Sequence, residues 1–67
     1  MYTVTIMYFG ATERYECKTL DDALAAYANL IQKHQYNKEV LCEVHIDNRI
    51  YKHYYRVGSE EKEILCD

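Results

Sequence analysis

The sequence predicts an α+β domain, β-β-α-β-β, with one helix packed on one face of a four- or five-stranded antiparallel sheet. Three observations predict it. Period-two alternation runs through residues 2–9 and 39–46, a capped period-3.6 stripe lies between them, and an alternating segment follows residues 47–49. A helix laid on an antiparallel sheet is the simple way to bury one stripe against the other.

In the first segment, YTVTIMYF, Tyr2, Val4, Ile6 and Tyr8 fall on one side, with Thr3, Thr5, Met7 and Phe9 opposite. Gly10-Ala11-Thr12-Glu13 makes the turn, with Gly10 free to take a positive φ. Arg14 to Lys18 then alternates charged with apolar residues, as a strand with one wet face does. Thr19-Leu20-Asp21-Asp22 marks a helix start. A threonine oxygen can accept from a free backbone N–H there, and two aspartates complement the positive end of the helix dipole. Leu20, Ala23, Leu24, Tyr27, Leu30, Ile31 and His34 recur at spacings of three and four, and Asn37 is the expected stop.

Residues 39–46 place Val40, Cys42, Val44 and Ile46 on one face and Leu41, Glu43 and His45 on the other. The return strand, Ile50 to Val57, depends on the loop. A two-residue loop carries Tyr51, His53, Tyr55 and Val57 to the apolar face. A three-residue loop carries Ile50, Lys52, Tyr54 and Arg56 there instead. Two cations under the helix are costly, so the two-residue loop and the first set are expected. Gly58-Ser59 ends the strand, and the acidic tail, residues 58–67, is read as a short fifth strand in preference to a Ser59-capped helical turn.

Sixty-seven residues allow one core. A chain of this length buries about 60% of the surface its unfolded form exposes, so a second subunit, a disulfide or a metal is a common supplement. The net charge of −3 lies wholly in the tail, because the charges of residues 1–57 cancel. Without a basic footprint, direct nucleic-acid binding is disfavoured. Three cysteines without CxxC spacing, no leader-like N-terminus and no apolar run of ~20 residues point to free thiols, no membrane and a cytoplasmic location.

No constellation for catalysis stands out. Cys42 and His45, three apart on a strand, point to opposite faces and cannot share an ion without a bulge. Cys42 and His53 fall on one face under the two-residue loop, but beneath a helix a thiol is inert. Glu60, Glu61 and Glu63 form a charge run rather than an acid–base pair, and no glycine loop cradles a phosphate. The expectation is a non-enzymatic module without metal or cofactor.

Eight tyrosines and no tryptophan are the unusual feature. Tyr54 falls with Lys52 and Arg56 on the sheet face assigned to solvent, beside Met7, Phe9, Leu41 and His45; Tyr36 follows the helix stripe. Residues of these types are enriched where proteins meet. The expected contact residues are Tyr54, Lys52, Arg56 and Tyr36, with Glu60, Glu61 and Glu63 of the acidic tail drawn to a basic surface. The alternative is a homodimer joined through the open sheet face or edge strands.

The whole layout (hairpin, TLDDALAAYANLI helix, hairpin, acidic end) resembles in size and economy the small phage-encoded proteins that block bacterial defence, anti-CRISPR proteins among them. That resemblance implies an inhibitor in the host-cell cytoplasm that occludes a functional surface of a larger complex. Thr19-Leu20-Asp21-Asp22-Ala23 also looks like the strand-to-helix junction of small antitoxins of the HicB kind, which implies an antitoxin-like interaction protein.

Overall fold

A computed structural model describes residues 1–66; Asp67, the last residue of the acidic tail, lies outside the described residues. The elements are β1 (Tyr2–Tyr8), β2 (Ala11–Cys17), α1 (Leu20–Lys33), β3 (Glu39–Ile46), β4 (Arg49–Val57) and β5 (Glu60–Leu65). The strands form a single antiparallel sheet in the order β2-β1-β3-β4-β5, with α1 on one face. Glu60–Leu65 of the tail is therefore a fifth strand, as the sequence predicts.

All three hairpins close with two residues, and their backbones show why each turn works. Phe9 and Gly10 both have positive φ, as do Asp47 and Asn48, which is the type I′ pattern whose twist suits a hairpin. At the third turn only Gly58 is positive, as type II′ requires at its first central position. Aspartate and asparagine tolerate the left-handed region; Phe9, at φ 47°, occupies it at a cost.

Thr19 starts α1 as its sequence predicts, accepting the Asp22 N–H on its hydroxyl oxygen at 3.1 Å. The helix ends earlier than Asn37. Its last residue is Lys33; His34 donates its backbone N–H to the Leu30 carbonyl and Gln35 donates its own to the Gln32 carbonyl. The core is built from Val4, Ile6, Ala23, Tyr27, Leu30, Val40, Cys42 and Val44, together with Tyr54. At about 25 cal/mol per Å² of apolar surface, this cluster is the main term opposing chain entropy.

Tyr54 in the core overturns the face assignment of β4. The loop does hold two residues, because Ile46 faces Arg49. Beyond it, however, His45 faces Ile50 while Val44 faces Lys52, which leaves Tyr51 as an extra residue. This bulge shifts every later side chain to the other face. Lys52, Tyr54 and Arg56 therefore point toward α1, and His53, Tyr55 and Val57 toward the open face.

Candidate functional site

The cost that argued against cations on the helix side is met by specific partners. Arg56 donates from its two terminal nitrogens to the carbonyls of Gln35 (2.9 Å) and His34 (2.8 Å). Those oxygens belong to the turn that follows α1, so the guanidinium sits at the negative pole of the helix dipole. Lys52 lies 5.4 Å above the Tyr27 ring and 3.8 Å from a Glu63 carboxylate oxygen. Tyr27 in turn donates its hydroxyl to Glu63 at 2.8 Å.

These contacts exist because α1 roofs only part of the sheet. It packs over β1, β2 and β3, while its backbone stays clear of β4 and β5. Side chains from both parts line the gap, with Leu24 and Ile31 on the helix side and Lys52, Tyr54, Glu61 and Glu63 on the strand side. Four of the seven expected contact residues, Lys52, Tyr54, Glu61 and Glu63, thus meet in one place, which for Lys52 and Tyr54 is the face opposite to the one expected. Tyr54 is 5% exposed and belongs to the core. Arg56 braces the helix end, Glu60 lies on the other face of β5, and Tyr36 stands exposed in the loop after α1. The seven do not form one surface.

The open face carries a different cluster. Met7, Phe9, Leu41, Tyr55 and Val57 gather at the end of the sheet nearest the β1–β2 turn, around a shallow depression of about 520 Å³. Phe9 is 74% exposed and Val57 53%. Met7, Phe9 and Leu41 were legible as open-face residues from β1 and β3 periodicity. The sequence places Tyr55 and Val57 on the buried face, because nothing in the composition of β4 announces a bulge.

Beside this strip, Glu43 holds two histidines, one on each carboxylate oxygen: His53 Nδ1 at 3.0 Å and His45 Nε2 at 3.2 Å. No group of three His, Cys, Asp or Glu side chains among the described residues is arranged to hold a metal ion. Cys42, expected to share a face with His53, is separated from it by the sheet. Burial pushes the Cys42 thiol up to about 12, so it carries no nucleophilic thiolate near neutrality. On the helix face of the first hairpin, Glu13 accepts hydrogen bonds from the hydroxyls of Tyr15 and Tyr8. These bonds hold its carboxyl below the usual range and raise both phenols.

The chain matches no family model, no curated protein and no solved structure. No helix among the described residues is long and apolar enough to cross a membrane.

Proposed function

We propose that this chain is a non-enzymatic protein-binding module whose contact surface is the Met7–Phe9–Leu41–Tyr55–Val57 strip of the open sheet face. One observation carries the reading. Phe9, a large aromatic residue, is held in the left-handed region at a turn and leaves most of its ring in water. Neither choice favours the folded monomer, and strain of this kind concentrates where a surface is used. Contiguous exposed apolar groups mark contact surfaces for the same reason. Taken with the resemblance in layout to small anti-defence proteins, the specific form of this reading is an inhibitor that covers a functional surface of a larger complex.

The test compares three proteins in quantitative affinity capture from the organism that encodes the chain. The wild type and a Glu61→Gln/Glu63→Gln variant, changed only on the other side of the sheet, should retain the same partner. Phe9→Asn should lose it while remaining folded. Undiminished capture by Phe9→Asn would remove the strip from the contact surface.

A further inference from the structure

We infer that two copies of this chain join through their β2 edges, in the antiparallel register that places Arg14 of each opposite Glu16 of the other. The sheet has two edges, β2 and β5, and each leaves one side of a strand without a ladder partner. A two-fold axis relating two antiparallel edge strands must stand normal to the sheet, so opposed residues always come from the same face. That parity rule separates the two edges.

At β5 the two longest registers each overlap five residues. One sets Lys62 against its own copy and Glu61 against Glu63; the other sets Glu63 against itself. Like charges directly opposite each other are destabilising, so the charges of β5 act against self-pairing. At β2 the outcome differs. The full seven-residue register of β2 sets Arg14 against its own copy and is disfavoured in the same way. The five-residue register with Tyr15 on the axis instead sets Arg14 against Glu16 and Glu16 against Arg14, giving two opposite-charge pairs on the open face. On the helix face Tyr15 meets its own copy, and aromatic cross-strand pairs are favourable.

The backbone agrees. Tyr8 and Ala11 flank a two-residue turn and form a hydrogen-bonded pair, so alternation along the β1–β2 register leaves Arg14 and Glu16 with their N–H and C=O groups turned outward. These are the residues that the dimer register pairs. In the single chain Arg14 and Glu16 are exposed, and among the described residues neither takes part in an ion pair. The result is a continuous ten-stranded sheet with both helices on one side, and it enlarges a core that is small for an isolated chain. It uses neither the Phe9 strip nor its proposed partner, so the two readings stand or fall separately.

Sedimentation equilibrium over a concentration series, with circular dichroism to verify folding, tests it by charge reversal. Wild type should show a concentration-dependent monomer–dimer equilibrium. Arg14→Glu replaces two attractive pairs by two repulsive ones and should raise the dissociation constant about tenfold or more. Arg14→Glu/Glu16→Arg restores both pairs with reversed polarity and should recover dimerisation. A wild type that stays monomeric to millimolar concentration overturns the inference. So does a dimer indifferent to Arg14→Glu, or one that the double reversal fails to rescue.

Discussion

The helix face of the sheet divides into two parts built on different principles. Under α1, strands β1 and β3 supply Val4, Ile6, Val40, Cys42 and Val44, all at most 3% exposed, and the region is held by apolar packing. Beyond the helix, β4 and β5 present Lys52, Arg56, Glu61 and Glu63, and the region is held by hydrogen bonds and charge around Tyr27 and Tyr54. Packing energy grows with buried area and depends on close fit. Polar contacts are strong only where water is displaced and every group is satisfied. The two parts should therefore respond differently to substitution.

The largest difference is expected from shortening one large aliphatic side chain in each. Ile6→Ala empties space beneath α1 and should cost about 3 kcal/mol. A core this small supplies about 3–5 kcal/mol in total, so the variant should be largely unfolded at moderate temperature. Leu65→Ala, on the helix face of β5 opposite Lys52 and 58% exposed, should cost less than about 1 kcal/mol. Urea unfolding followed by circular dichroism measures both. Equal losses would mean that β5 is as firmly packed as β1.

Arg56 comes next, because it ties the polar part to the helix. Removing it as Arg56→Ala strips two charge-assisted hydrogen bonds from the carbonyls after α1 and should cost about 2 kcal/mol. Arg56→Lys keeps the charge at the negative pole of the dipole, yet a single ammonium cannot reproduce the two-pronged contact, so recovery should be partial. Full recovery by lysine would assign the effect to charge alone.

Arg56 also shows where the sequence stops being legible. Strand β1, the Thr19 cap and the stripe of α1 follow from local patterns, each backed by several residues. The β3–β4 loop does hold two residues, but the physical reason for expecting it, keeping Lys52 and Arg56 from under the helix, fails. The face of β4 does not follow from such a pattern, because its apolar and polar residues nearly balance: Tyr51, His53, Tyr55 and Val57 against Ile50, Lys52, Tyr54 and Arg56. A one-residue bulge decides between them, and the energy favouring it is tertiary. Two helix-end carbonyls await Arg56, and Glu63 awaits Tyr27 and Lys52. The same slip moved Lys52, Tyr54 and Arg56 to the helix side and brought Tyr55 and Val57 to the open one.

The smallest expected effect separates the two type I′ turns, one between strands under α1 and one that joins β3 to β4 across the divide. Asp47-Asn48 fills both left-handed positions with residues suited to them, whereas Phe9-Gly10 fills the first with an aromatic residue. Phe9→Asn creates the Asn-Gly pair this turn type favours and removes an exposed ring. It should raise unfolding free energy by about 1 kcal/mol, read from the urea midpoint at unchanged slope. A gain in stability coupled to loss of partner capture would show that the ring is kept for contact at the expense of the turn. A loss of stability would show instead that Phe9 packs usefully against Met7 and Leu41, and the strain argument for the strip would fall with it.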